Sequence, residues 1–182
     1  MSRRGTFTPF NVDDEYMTPT YAFRDFFSYV NIDKDQYTLW EPFYGDGRSS
    51  EIMEEFGYDV VRCEGKDFFV APPPDGDNIV MVTNPPFSIK KEVLRYVLEV
   101  YNVPKFAILL PSQTFYAKYF QKMLSGDRKI TMLVPPARVQ FVKDGVKTRC
   151  NALDTAWMVS GLPLPHPPHG IHYLPEVGPR NA

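Results

Sequence analysis

Between residues 37 and 134, short apolar runs alternate with segments of helical periodicity, and few folds are open to a chain patterned this way. The runs are YTLWEPF (37–43), YDVVRCEG (58–65), Ile79–Thr83, KFAILLP (105–111) and KITMLVPP (129–136). Helical spacing is seen in TPTYAFRDFFSYV (18–30), in 51–56 with Ser49 or Ser50 as its cap, and in SQTFYAKYFQKML (112–124). In SIKKEVLRYVLEVYN (88–102), Ile89, Val93, Tyr96, Val97 and Val100 share one face. The early strands are apolar on both faces, as in a parallel sheet covered by helices on either side. Two late strands, RVQFV (138–142) and TAWMVSGL (155–162), flank the polar KDGVKTRCNALD, which reads as a loop. No helix separates them, so they predict an antiparallel edge. The expected fold is therefore α/β, a mostly parallel sheet of about seven strands with an antiparallel edge. Residues 1–162 form the domain, and the proline-rich residues 163–182 are expected to be a flexible tail.

A length of 182 residues with 43% hydrophobic content supports one core, not two. No apolar run approaches the ~18 residues of a membrane span. The opening MSRRGTFTPF is basic but lacks the apolar stretch of a secretion signal. Cys63 and Cys150 are too few for a disulfide framework or a cysteine zinc site, which suits a reducing intracellular compartment, cytoplasmic or nuclear. His166, His169 and His172 recur every third residue, but the intervening prolines fit no fixed metal geometry, and no metal is expected. The net charge of −2 conceals an asymmetry. Residues 1–89 hold 7 basic and 16 acidic side chains, and residues 90–182 hold 13 and 6. Local positive potential in the second half is compatible with phosphate contacts.

Open parallel sheets bind ligands beyond the carboxyl ends of their strands, and two motifs fall at such ends. In EPFYGDG (41–47), Gly45 and Gly47 permit a tight turn and close approach to a ligand. The stretch has neither dinucleotide-fingerprint nor phosphate-loop spacing. Its acids, Glu41 and Asp46, would repel phosphate but suit an amine or a sulfonium. In VTNPPFS (82–88), Pro85 and Pro86 fix two successive φ angles, and Pro85 keeps Asn84 out of the helical region. The stiff exit aims an amide and the Phe87 ring into the cleft, where they can accept from an exocyclic amine and stack on a planar base.

Taken together and about 40 residues apart, EPFYGDG and NPPF resemble the paired motifs of S-adenosylmethionine-dependent amino-methyltransferases acting on N6 of adenine. DEYMTPTYAF (14–23) looks like the Thr-Pro segment that precedes the first strand in that superfamily. ARVQF followed by DTAWMV is similar to a late strand pair of phage-type DNA adenine methyltransferases, although Asp154-Thr155 replaces their usual Pro-Ser-type dipeptide. The resemblance covers roughly residues 14–160 and implies a Rossmann-like class I methyltransferase fold. It places Gly45 and Gly47 beside the cofactor, in a turn that includes Pro42 and Phe43, with Glu41 or Asp46 facing its amino-acid end. Thr18 and Pro19 would close over that end. Glu64 would accept from the ribose, and Asp67 with Phe68 would hold the cofactor adenine.

On this reading, Asn84 and the Pro85 carbonyl accept from N6–H, Pro86 keeps the exit rigid and Phe87 stacks on the target base. These hydrogen bonds favour a pyramidal nitrogen, whose lone pair is released for in-line attack. No covalent enzyme intermediate is required. A paired base must first leave its stack. Phe141 would grip the base from its other face, while Arg138, Lys143, Lys147 and Arg149 would contact phosphates. The expected partner is nucleic acid, DNA ahead of RNA. The chain has no evident separate target-recognition domain, so loose sequence preference, single-stranded targets or a protein partner supplying specificity are all consistent with it. The other readings are an RNA adenosine N6-methyltransferase, an N4-cytosine enzyme, a glutamine-amide enzyme, and an inactive methyltransferase-like nucleic-acid-binding subunit.

Overall fold

In the computed structural model, residues 16–124, 127–143, 146–167 and 169–180 are described, with side chains in 143–152 excepted. The elements in chain order are α1 (Thr20–Tyr29), β1 (Thr38–Glu41), α2 (Arg48–Glu55), β2 (Val60–Arg62), β3 (Ile79–Thr83), α3 (Lys90–Arg95) and β4 (Phe106–Pro111). They are followed by α4 (Lys118–Met123), β5 (Thr131–Val134), β6 (Val139–Lys143), β7 (Val146–Leu153), β8 (Thr155–Ser160) and β9 (Gly170–Tyr173).

Seven strands form one sheet in the order β2-β1-β3-β4-β8-β5-β9, and β6 and β7 form a separate hairpin. Pairs β1–β2, β1–β3, β3–β4 and β5–β9 are parallel, while β8 runs antiparallel to both β4 and β5. The chain is thus an α/β protein with a mostly parallel sheet, as its alternation implies. The antiparallel strand is interior, however, and not at the edge. After β5 the chain turns back through a hairpin with no covering helix, so β8 must run against its neighbours and slots between β4 and β5.

Side-chain alternation divides the core between the two faces. Val80 and Val82 point into a cluster with Phe23 and Phe26 of α1 and Met53 of α2. Met81 points the other way, to Val93 and Leu94 of α3 and Phe120 of α4. Among the described residues, no helix is long and apolar enough to cross a membrane.

Several local elements depart from their periodicity. The polar stretch expected as a loop after residue 142 is mostly strand β7, paired antiparallel with β6, whose Val139 and Phe141 are fully buried. The expected helix over 88–102 is a 3₁₀ turn (Phe87–Ile89), then α3, then a π turn (Tyr96–Val100) closed by Tyr101 N donating to Tyr96 O at 2.7 Å. That widened turn accompanies the packing of both Tyr96 and Tyr101 on Phe68, with ring centroids 6.0 and 5.5 Å away. The expected helix over 112–124 breaks at Ala117, which is extended (φ −75°, ψ 133°).

The tail also differs from expectation. β9 adds to the sheet beside β5, and Leu174 is buried, its N–H donating to Val134 O at 2.8 Å. Further on, Arg180 lies 2.9 Å from the buried Asp25 carboxylate of α1 and stacks over the Tyr21 ring. Asp25 Oδ1 additionally accepts from Val177 N at 3.1 Å. Proline denies a segment a continuous ladder but not short parallel pairing between prolines.

Candidate functional site

The carboxyl ends of β1 and β3 are joined by one buried side chain. Glu41 Oε1 accepts from Thr83 Oγ1 at 2.5 Å and from Phe43 N at 2.9 Å. Burial outweighs both hydrogen bonds and pushes its pKa from the ordinary 4.5 up to about 8. Glu41 is 1% exposed, so it braces the two motifs from beneath and does not line the cavity between them. This overturns its expected contact with a cofactor: the carboxylate is sealed by its own partners.

A stability prediction arises here. Because the folded pKa of Glu41 lies above the unfolded one, the native state holds the extra proton between about pH 4.5 and 8. Its contribution is full below about 4.5 and is lost as pH rises toward 8, with a limiting slope of about 1.4 kcal/mol per pH unit. Glu41→Gln copies the protonated shape and cannot ionise. Thermal unfolding across pH 5–8 should show the wild type losing stability relative to this variant by several kcal/mol.

A cavity of about 380 Å³ opens beside this brace, within the size range of small-molecule sites. Four separate stretches wall it: Tyr16 and Met17; residues 42–46 with Ser49; Cys63 with residues 65–68; and residues 84–87. The two motifs singled out from the sequence therefore share one cavity.

The glycines of the turn have different tasks. Gly45 (φ +55°) lines the cavity, and a Cβ there would meet no atom within 4 Å, so the wall is open at that point. Gly47 (φ +84°) is the cap of α2 and lies off the cavity; a Cβ there would come within 2.7 Å of Tyr44 Oη. Asp46 Oδ1 accepts from Arg48 N at 3.0 Å, so α2 begins three residues earlier than a serine cap would start it. Ser50 is buried instead.

After β2, Asp67 faces the cavity and its Oδ1 accepts from Phe69 N at 2.9 Å. Phe68 is buried yet reaches the wall, with the Phe43 ring 4.9 Å from it. Glu64 is exposed and off the cavity, because the chain turns there and presents Cys63, Gly65 and Lys66. Cys63 Sγ accepts from Trp40 Nε1 at 3.2 Å.

The tip of β3 carries the most specific chemistry. Asn84 Nδ2 donates to the Tyr16 carbonyl at 3.0 Å, which turns Oδ1 the other way. That oxygen is buried and accepts from no described protein group. An unsatisfied buried acceptor costs about 1–3 kcal/mol, and this one belongs to a residue that lines the cavity. Pro85 is buried and Pro86 (φ −54°, ψ 128°) leads into the 3₁₀ turn, so the exit is rigid. Lys90 Nζ donates to Phe87 O at 2.8 Å and holds the motif from behind.

Other expected site residues lie elsewhere. Thr18 and Pro19 are buried behind the wall, and the residues just before them, Tyr16 and Met17, face the cavity. Phe141 is fully buried, packed edge-on against Phe87 (5.9 Å) and Tyr16 (6.0 Å), so it supports those rings from behind and does not reach a ligand. Arg138 is exposed, lies off the cavity and pairs with Asp154 in a two-pronged contact at 2.8 and 2.9 Å. The side chains of Lys143, Lys147 and Arg149 lie outside the described ones. The chain matches no known protein-family model and no curated protein sequence.

Proposed function

We propose that this chain is an S-adenosylmethionine-dependent methyltransferase acting on the exocyclic N6 amine of adenine in nucleic acid, with DNA ahead of RNA. One observation carries the reading. A rigid amide whose oxygen lacks a partner shares a cavity with an acidic glycine turn. The fit of the cofactor rests on the donor set. Asp46 beside the open wall at Gly45 suits the ammonium group of the amino-acid end, and Asp67 with Phe43 and Phe68 suits an adenine. When bound there, S-adenosylmethionine supplies an electrophilic methyl group.

The chain's own residues act on the nucleophile. The N6 lone pair of adenine is delocalised into the ring and reacts poorly. Asn84 Oδ1 accepts one N6–H and the Pro85 carbonyl the other, which draws the nitrogen toward a pyramidal shape and localises its lone pair. Both acceptors are fixed before substrate arrives, so little reorganisation is left for the reaction itself. The Phe87 ring, on the cavity wall, stacks on the base. The preference for DNA rests on the similarity of residues 137–159 to phage-type DNA enzymes, since a motif that grips only N6 does not read the sugar.

The test incubates the full chain with methyl-labelled cofactor and separate pools of single- and double-stranded DNA and RNA. Digestion to nucleosides should place the label on N6-methyldeoxyadenosine. Label on cytidine N4 or on RNA adenosine would redirect the substrate assignment. A protein that binds the cofactor by calorimetry yet labels no pool would overturn it.

A further inference from the structure

A target base in the cavity brings its strand with it, and the phosphates on either side require a positive surface at the same rim of the sheet. The topology places one there. β3 and β4 are parallel neighbours, with Thr83 opposite Ile108, so the connections leaving their carboxyl ends share one rim. One runs from Asn84 to the start of α3 at Lys90, and the other from Ser112 to the start of α4 at Lys118. The two helices then bury Val93 and Leu94 of α3 and Phe120 of α4 in one cluster.

The second connection presents an aromatic ring to solvent: Tyr116 is 82% exposed. The backbone on either side of it is anchored. Thr114 is buried, Phe115 packs edge-on against Phe120 with ring centroids 5.4 Å apart, and Ala117 N donates to Thr114 O at 3.2 Å. Lys118 is exposed two residues on. Lys91 of α3 is exposed too, and its Nζ lies 5.6 Å from the centroid of the Tyr119 ring, which ties it to the α4 side of the rim. Residues 84–91 and 112–124 together hold four lysines and no acid. The acids that adjoin them are already paired: Glu92 with Arg95 at 2.6 Å, and Asp154, whose carbonyl accepts from Ser112 N, with Arg138. The surface is therefore complementary to a polyanion that also offers flat rings.

We infer that Tyr116, Lys118 and Lys91 form the docking track for the nucleotides that flank the target base. Lys91 and Lys118 meet phosphates, and the Tyr116 ring stacks on a neighbouring base. This rests on the methyltransferase reading above and adds to it a substrate surface outside both motifs. Only an unpaired base offers its face to a ring, so the track favours a single-stranded or locally opened strand. Lysines hold phosphates as point charges and read no sequence, so it also favours loose sequence preference.

The test uses the full chain loaded with S-adenosylhomocysteine and a fluorescein-labelled single-stranded oligodeoxynucleotide with one adenine in a thymine run, read by anisotropy across a salt series. Lys91→Gln/Lys118→Gln should make the slope of log affinity against log salt shallower by about 1.4, two phosphate contacts at about 0.7 each. Tyr116→Ala should weaken binding about 5- to 100-fold at a wild-type slope, the range for loss of one base stack. Tyr116→Leu, which keeps the apolar bulk, should be as weak, and Tyr116→Phe should bind like the wild type. Cofactor affinity by calorimetry and melting temperature should be unchanged in all of them. Wild-type affinity and slope in the Ala and double-Gln variants would overturn the track alone, and would leave the exposed ring to a protein partner. A matching loss of cofactor affinity or melting temperature would show these residues to be merely structural and would also overturn it. A wild type that binds neither cofactor nor oligonucleotide would overturn the methyltransferase reading, and the track with it.

Discussion

Asn84→Ala should lower methyl transfer at saturating cofactor and nucleic acid by about 100-fold or more, the range seen when one preorganised transition-state hydrogen bond is removed. The substitution deletes the acceptor at the tip of β3 and leaves Pro85 and Pro86 to hold the exit. Stability should change little, because the lost hydrogen bond from Asn84 Nδ2 to the Tyr16 carbonyl is offset by removal of a buried oxygen that has no described partner. Loss of rate without loss of melting temperature is therefore the expected signature. Asn84→Asp provides a sharper comparison. It keeps an acceptor toward the cavity but sets a second acceptor against the Tyr16 carbonyl, now 3.0 Å from a donor. It should fall between wild type and alanine in rate and be less stable than either. Full activity in the alanine variant, measured with labelled cofactor, would remove the amide from the mechanism.

The second large effect is on folding. Arg180→Ala should destabilise the protein by about 3 kcal/mol or more, read as a shift in denaturant midpoint, because it leaves the Asp25 carboxylate buried without its cation. Asp25 is 1% exposed within the α1 layer of the core, and its remaining described partner would be Val177 N. The double variant Asp25→Leu/Arg180→Ala should recover much of the loss, since replacing both charges restores an apolar contact and strands neither. An Arg180→Ala midpoint equal to the wild type would mean that the tail contributes nothing to the core it touches.

The two motifs were legible because each depends on local covalent constraint. Consecutive prolines define the exit at Asn84 wherever the chain goes, and glycines at 45 and 47 permit the positive φ angles found there. What escaped depends on distant partners. Glu41 looks like a cavity acid until Thr83, 42 residues away, is placed over it. The pairing of Arg138 with Asp154 likewise becomes visible only once β7 brings the two together. Tyr16 stands in a polar segment, and its place on the cavity wall follows from Asn84, 68 positions downstream, whose amide donates to its carbonyl. β7 and β9 escaped for another reason: neither stretch carries the apolar alternation of a half-buried strand, so their pairing with β6 and β5 leaves little trace in hydrophobic pattern.

The strand order imposes a timetable on synthesis. β5 sits between β8 and β9, both of which lie later in the chain, so it has no sheet neighbour when it leaves the ribosome. Until residues 155–160 emerge, β4 presents the outer edge of FAILLP, an almost wholly apolar strand, to any other unpaired segment. Nascent or truncated chains ending near residue 135 should therefore aggregate, and the finished protein should become soluble only once β8 has closed that gap.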